Sequence, residues 1–387
     1  MSVLPISNGK PYIESDDIKE VIKSLKSGFL SQGDSINQFE NLFKKKLKCN
    51  FSIACNSGTS AIYLAMYSID VKKNDVIILP SINFIAAANV ASLFKAKIYF
   101  ADVDIHTGQL SVDNVIKCIK ENKIKRVKAI INMYLSGNLR EISNFYKLKK
   151  KLNCYLIEDA CHALGSYYYY KKKKFFIGSC KHSDICTFSF HPLKTITTGE
   201  GGLISTNNKK IYEKSKLFKS HGIIKTNKHW KYNVISPGLN LRLSNINASL
   251  GISQFKKIDK FTLKRKKIFD FYYNKLNGYK NVIKIIRTEK NTFSSNHLVI
   301  ANFNFLKLKI NKDTLIKILL KDKIIIHYHY IPNINFKCYK PKNSSNFKGT
   351  LNHFNNAISL PIYYKLSLTE LKRVEKKIKA VVDRYIL

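Results

Sequence analysis

Lys194 lies in the stretch Thr187 to Leu203, TFSFHPLKTITTGEGGL. The apolar run Ile185 to Phe190 predicts a buried strand, which opens into His-Pro, Lys194, a Thr-rich loop and Gly199-Glu200-Gly201-Gly202. A lysine at the mouth of a strand, among small and hydroxyl side chains, loses its proton when the pocket is dry enough. The neutral amine can then form a Schiff base with a carbonyl. In a chain with 67 Lys and Arg residues the same lysine also reads as an ordinary surface group. Its meaning depends on its partners.

Two partners stand upstream. Asp159, in LIEDACH, closes the apolar run Cys154 to Ile157. A carboxylate held at a strand end can pair with a protonated ring nitrogen; alone, it reads equally as a helix N-cap. The other partner is Asn56-Ser57-Gly58-Thr59-Ser60, between the short strand Phe51 to Cys55 and a helix beginning AIYLAMYSI. A strand, a small-residue turn and a helix N-terminus make an anion site, because free N–H groups and the helix dipole converge there. Alone, this is a plain strand-to-helix connection. Lysine, carboxylate and anion turn together are what pyridoxal phosphate requires. The lysine holds its aldehyde, the aspartate keeps its ring nitrogen protonated as an electron sink, and the turn takes its phosphate.

These residues need a scaffold that delivers them to one place. Residues 15 to 48 predict helices interrupted by a polar turn at Leu30 to Asp34. Strands are expected at Asp75 to Leu79, Lys97 to Ala101, Val127 to Met133 and Cys154 to Ile157. Helices are expected at Phe84 to Phe94 and Ile142 to Leu152. This alternation, continuing through residue 206, predicts an α/β fold with a central, mostly parallel sheet, which binds ligands at the carboxyl ends of its strands. The run Tyr167 to Phe176, YYYYKKKKFF, predicts a solvated hairpin. Beyond residue 250 the pattern changes to a long basic helix (Ile252 to Leu276) and strands near Ser295 to Phe305 and Ile324 to His329. Helices follow at Lys312 to Leu320 and Leu368 to Ala380. We therefore expect a large domain over 1–250 and a smaller C-terminal α+β domain over 251–387.

Composition narrows the function. The formal charge of +41 is spread along the chain with abundant Ile and Asn, the pattern of AT-rich codons, and is not gathered into one basic patch. No nucleic-acid partner is expected. Such a field still speeds encounter with small anions. No apolar run approaches the roughly 20 residues that span a bilayer, and the N-terminus lacks the apolar core of a secretory signal. The expected location is the cytoplasm, without membrane insertion. The eight cysteines form no CxxC pair or zinc spacing, so they are expected to be reduced and structural, with no metal bound.

SGTSA, EDACHALGS, SFHPLKTITTGEGG and GLNLRLSNINASLG, in this order, resemble the motifs of the DegT/DnrJ/EryC1/StrS family. The likeness runs from Lys10 to about Arg384. It implies a fold type I pyridoxal 5'-phosphate-dependent aminotransferase of nucleotide-linked keto-sugars. By that resemblance Lys194 is the Schiff-base lysine and proton shuttle, and Asp159 faces the ring nitrogen. His162 lies near the ring and its phenolic oxygen, where many relatives carry glutamine. Phe84 stacks on the ring, and Thr59, Ser60 and Ser189 match phosphate-binding positions. Asn240 matches a residue contributed by the neighbouring subunit, which implies a homodimer with shared active sites. His329 and Tyr330 face the sugar-nucleotide.

GSCKHSD, His162 and His329-Tyr330-Ile331-Pro332 are most similar to the pseudaminic-acid branch of the family. That branch aminates C4 of a UDP-linked 4-keto-6-deoxy-N-acetylhexosamine with L-glutamate as donor. Some features depart from the family pattern. Asn83-Phe84 and Ala86-Ala87 replace the usual Thr-aromatic and Ala-Thr pairs, Ile334 replaces a second histidine, and the run 167 to 176 has no counterpart. Another 3-keto or 4-keto nucleotide-sugar is the alternative substrate, and a non-catalytic relative the alternative role. A dehydrating variant of the family carries histidine in place of the lysine, so Lys194 tells against it.

Overall fold

The structure is a computed structural model and describes residues 4–228, 230–340 and 346–387. Its strands are β1 (Phe51–Cys55), β2 (Val76–Pro80), β3 (Lys97–Ala101), β4 (Ala129–Met133), β5 (Tyr155–Asp159), β6 (Tyr167–Tyr170), β7 (Lys173–Phe176), β8 (Ile185–Ser189) and β9 (Gly202–Thr206), then β10 (Ile223–Lys225), β11 (Tyr232–Val234), β12 (Ile283–Ile285), β13 (Thr292–Phe293), β14 (Val299–Phe303) and β15 (Ala357–Leu360). The helices are α1 (Ser15–Lys26), α2 (Asp34–Leu47), α3 (Gly58–Ser68), α4 (Ala86–Leu93), α5 (Val112–Glu121), α6 (Ile142–Leu152), α7 (Lys209–Phe218), α8 (Asn245–Lys256), α9 (Ile258–Leu276), α10 (Lys312–Lys321), α11 (Lys348–Asn356) and α12 (Leu368–Tyr385).

Seven strands form the main sheet in the order β1-β9-β8-β5-β4-β2-β3. Its neighbours pair in parallel except around β9, which runs antiparallel to both β1 and β8. The strands are near-continuous apolar runs because both faces are covered, as parallel sheets require. Ile77, Ile131, Ile157, Ile185 and Ile204 turn to one face, under α3, α4 and α7. Ile78, Ile130 and Leu156 turn to the other, under α5 and α6. Beside them Ala54, Cys186, Phe188 and Leu203 meet Phe39, Phe43 and Leu47 of α2 and Ala248 and Ile252 of α8. Each fully buried side chain of this size contributes about 2 kcal/mol.

The C-terminal part is a three-stranded antiparallel sheet, β12-β14-β15, packed against α9, α10 and α12. Ile6, fully buried, joins that core from the other end of the chain. Two expectations change here. The predicted helix Ile252 to Leu276 is two helices separated at Lys257. The first begins earlier, where the Ser244 hydroxyl caps it by accepting the Asn247 N–H at 3.1 Å. The break redirects the chain, so that α8 packs under the main sheet while the later turns of α9 reach the C-terminal core. The segment Ile324 to His329 is not a strand. It makes single bridges, Ile324 to Ile6 and His327 to Ser359, and then leaves the sheet edge to carry His329 and Tyr330 inward.

The run Tyr167 to Phe176 forms the β6–β7 hairpin, with Lys171 and Lys172 both at positive φ in its turn. Positive φ at both central residues matches the right-handed twist of paired strands. The hairpin is anchored on one face. Tyr168 is buried with its hydroxyl 2.6 Å from His182 Nδ1, and β6 also pairs with β13. All eight cysteines are free thiols, six of them buried. No described helix is long and apolar enough to cross a membrane.

Candidate active site

Glu158 and Asp159 end β5, and strand alternation sends them to opposite faces. Glu158 is buried and accepts the Tyr134 hydroxyl at 2.6 Å; burial pushes its carboxyl up. Asp159, also buried, accepts the Cys161 N–H at 3.2 Å and acts electrostatically on Lys194 and Tyr330. Beside β5 runs β8, with Asp159 in register with Thr187, so the chain leaving β8 starts at the same sheet edge.

That exit loop is tightly strapped. Its ends are tied by Phe190 N–H to Gly201 carbonyl (2.8 Å) and Thr198 N–H to Phe190 carbonyl (3.1 Å). The Thr197 hydroxyl donates to the Phe190 carbonyl, and Asn247 of α8 donates to the Thr198 and Glu200 carbonyls. Lys194 therefore projects from a fixed frame. Burial pushes its amine below the usual lysine range, while Cys161 and Asp159 pull it partly back. This favours the neutral amine that attacks a carbonyl.

The anion turn lies at the start of α3. The Ser57 hydroxyl caps the helix by accepting the Ser60 N–H at 3.1 Å, and the Ser60 hydroxyl donates to Asn56 Oδ1 at 2.6 Å. The first-turn N–H groups of Gly58 and Thr59 have no preceding turn to bond, and Thr59 is exposed. Ser189 closes over them; a Cβ at Gly58 would fall 2.7 Å from the Ser189 Cβ. Gly202 abuts Ser57 from below, again with no room for a side chain. Ser189, Thr59 and two glycine contacts thus form a cradle open to an anion, while both Ser60 donors are taken up within the turn.

A cavity of about 370 Å³ is lined by Asn83, Phe84, His327, Tyr330, Ile331 and Phe336. Phe84 is 55% exposed, and its ring centroid lies 5.8 Å from that of Tyr330. The Tyr330 hydroxyl is 2.8 Å from His162 Nε2, and His162 Nδ1 accepts the Ser136 N–H at 3.4 Å. The His162 ring lies 4.2 Å from His297 and 6.4 Å from His329, whose Nδ1 bonds the Ser359 hydroxyl at 2.8 Å. Burial and the charge of Lys194 hold His162 and His297 well below the usual histidine range and push His329 down to about 3. Asn240 is separate and exposed. Its side chain accepts only the Arg242 N–H among the described residues, although Leu241 beside it bonds Asn56 of the anion turn.

This geometry is accompanied by sequence similarity over nearly the whole chain. Residues 11–379 match the DegT/DnrJ/EryC1/StrS aminotransferase family. The chain belongs to this family. Among relatives of the DegT aminotransferase, the UDP-4-amino-4,6-dideoxy-N-acetyl-beta-L-altrosamine transaminase of Campylobacter jejuni is 33% identical over 381 residues, covering 96% of each chain. The GDP-perosamine synthase of Escherichia coli O157:H7 is 31% identical over 301 residues, covering 77% of this chain and 78% of the relative. Among solved structures, Helicobacter pylori PseC, described as an aminotransferase of pseudoaminic acid biosynthesis, superposes with a TM-score of 0.87 at 28% identity, covering 98% of this chain and 100% of that one.

DegT aminotransferases use pyridoxal phosphate, and the residues present fit it. Gly58, which no side chain could replace, and Thr59 present first-turn N–H groups to a phosphate, and a half-buried lysine and a buried carboxylate stand at the same end of the sheet. Three further participants were not anticipated: the Ser136 N–H, His297, and Arg265. The Arg265 guanidinium is buried against the His297 carbonyl at 3.1 Å and pushed down to about 10 by burial. A backbone donor leaves no trace in sequence, and His297 and Arg265 lie inside ordinary strand and helix patterns.

Proposed function

We propose that this DegT aminotransferase transfers the amino group of L-glutamate to C4 of a UDP-linked 4-keto-6-deoxy-N-acetylhexosamine, on the way to pseudaminic acid. The observation that carries the reading is the joining of Lys194 and Asp159 to the His162–Tyr330 pair beside an aromatic cavity. The full-length likeness to the altrosamine transaminases supports the choice of sugar.

When bound, pyridoxal phosphate supplies the electron sink that acidifies the glutamate Cα–H. The α3 N-terminus with Thr59 and Ser189, and Ser60 once its hydroxyl turns from Asn56, would hold its phosphate, Asp159 would hold the positive charge on its ring nitrogen, and Phe84 would offer its aromatic face to the ring. Lys194 Nζ takes the proton from Cα of glutamate, and in the second half-reaction delivers a proton to C4 of the sugar. Donor and acceptor use one site in turn, which gives ping-pong kinetics.

The working unit in this reading is a cytoplasmic homodimer. Tyr232, Val234, Ile235 and Leu239 are exposed apolar residues on and after the β10–β11 hairpin, directly before Asn240. Pairing of two copies there would bury them and carry Asn240 into the partner's site, consistent with two-fold closure.

Side-by-side kinetics with the UDP-linked keto-sugar and a GDP-linked 4-keto-6-deoxyhexose test the assignment. A kcat/KM at least tenfold higher for the UDP-sugar is expected. The reverse preference would move the chain to the perosamine-type reaction.

A further inference from the structure

We infer that a hydrogen-bond chain of fixed direction, from the Ser136 N–H through His162 to Tyr330, presents the Tyr330 hydroxyl hydrogen to an oxygen of the acceptor sugar. This rests on the proposed sugar reaction and assigns one of its contacts.

The direction follows from donor and acceptor chemistry. A backbone N–H can only donate, so His162 Nδ1, 3.4 Å from the Ser136 N–H, must offer a lone pair. A neutral imidazole with a lone pair on Nδ1 carries its hydrogen on Nε2. That nitrogen is 2.8 Å from Tyr330 Oη, so His162 donates and the phenol accepts. The phenol's own hydrogen must then point elsewhere, and Tyr330 lines the cavity beside Phe84.

The surroundings hold every member in place. Ser136 has φ of 68°, its hydroxyl donates to the Leu298 carbonyl at 2.5 Å, and its carbonyl accepts the His297 N–H at 2.9 Å. The His162 carbonyl accepts the Ser295 hydroxyl at 2.7 Å, so backbone and ring are both fixed. The groups that act on His162 are Lys194, Arg265, His297 and His329, all cations or bases that oppose a second proton on its ring. Tyr330 is kept protonated by burial and by Asp159 and Cys161, so it retains the hydrogen it presents.

His162 is thus a positioning residue, and Tyr330 the group that touches substrate. Glutamine at 162 preserves the order, with its carbonyl oxygen toward Ser136 and its NH₂ toward Tyr330. Glutamate at 162, once ionised, accepts from both sides and draws the Tyr330 hydrogen away from the cavity.

Nitrogen NMR of ¹⁵N-histidine-labelled protein without cofactor, with His162 assigned by its absence in H162Q, reads the tautomer directly. The expected result is a neutral ring with hydrogen on Nε2 at pH 7. Hydrogen on Nδ1, or a cationic ring, overturns the proposal. Kinetics supply the second arm. Y330F and H162E are expected to lower kcat/KM for the keto-sugar by about tenfold, the loss of one hydrogen bond to substrate, and H162Q to restore most of it. H162E matching H162Q, or Y330F matching the unmodified chain, also overturns it. The expected tautomer with no turnover of the keto-sugar would reject the sugar and leave the donor direction standing.

Discussion

Gly58 and Ser189 face each other so closely that a Cβ on residue 58 would lie 2.7 Å from the Ser189 Cβ. Real Cβ contacts are not that short, so any side chain at 58 must push the α3 N-terminus and Ser189 apart, widening the phosphate cradle. Gly58→Ala is expected to weaken pyridoxal phosphate binding by about tenfold or more, or 1.4 kcal/mol. Titration of the cofactor's visible absorption checks this; an unchanged Kd would place the phosphate elsewhere.

Lys194→Ala removes the proposed proton carrier. Turnover is expected to fall by at least about a thousandfold, the upper range for a lost general acid–base, with the fold retained in circular dichroism. A substantially active Lys194→Ala would contradict the assigned role.

Asp159→Asn keeps size but not charge. The account expects tight cofactor binding to persist while turnover falls by about two orders of magnitude, as for other charges aimed at a developing one. Equal turnover in both proteins would show that the ring nitrogen has another partner.

The buried imidazoles make stability depend on pH. Burial, the first cause in each, holds His162 and His297 well below the usual range and pushes His329 down to about 3 and His353 down to about 4. In the unfolded chain each titrates near 6.5. Unfolding therefore takes up protons below about pH 6.5, and stability is lost as the pH falls through that value. Each imidazole is expected to cost up to about 2 kcal/mol by pH 5. Urea midpoints at pH 7 and pH 5 measure the effect; equal midpoints would mean the cluster is already protonated in the fold.

Asp17 of α1 is fully buried and accepts from Lys257 Nζ at 2.7 Å, Gln254 Nε2 at 2.8 Å and the Glu14 N–H at 3.0 Å. It fastens α1 to the junction of α8 and α9. Asp17→Ala leaves the lysine's charge without its buried partner and is expected to cost about 3 kcal/mol of stability. Denaturant unfolding would show this, and a change under 1 kcal/mol would mean that Glu14, whose Oε1 is also 3.0 Å from Lys257 Nζ, is enough to hold Lys257.

The sequence showed the main sheet clearly because its strands are unbroken apolar runs between Gly, Ser and Asp turns, the form that burial on both faces imposes. Lys194, Asp159 and the Ser57–Ser60 turn were legible for the same reason: each follows such a run. The break at Lys257 was not, since apolar spacing continues across it and no Gly or Pro marks it. Ile324 to His329 has the β-branched composition of a strand, but its pairing partners change from Ile6 to Ser359 before a ladder forms. The contact of His162 with His297 and with the Ser136 N–H joins distant segments through one ring, and no local pattern encodes it. The similarity of motifs brought Asn240 to notice; its exposure within one chain is what a second copy would have to change.

The most direct test of the central claim needs no sugar. The chain loaded with pyridoxal phosphate is mixed with L-glutamate alone, and 2-oxoglutarate is quantified together with the visible absorption of the bound cofactor. The account predicts about one equivalent of 2-oxoglutarate per chain with bleaching of the band, and neither with Lys194→Ala. Absence of 2-oxoglutarate from the unmodified protein, or equal release from Lys194→Ala, would contradict it.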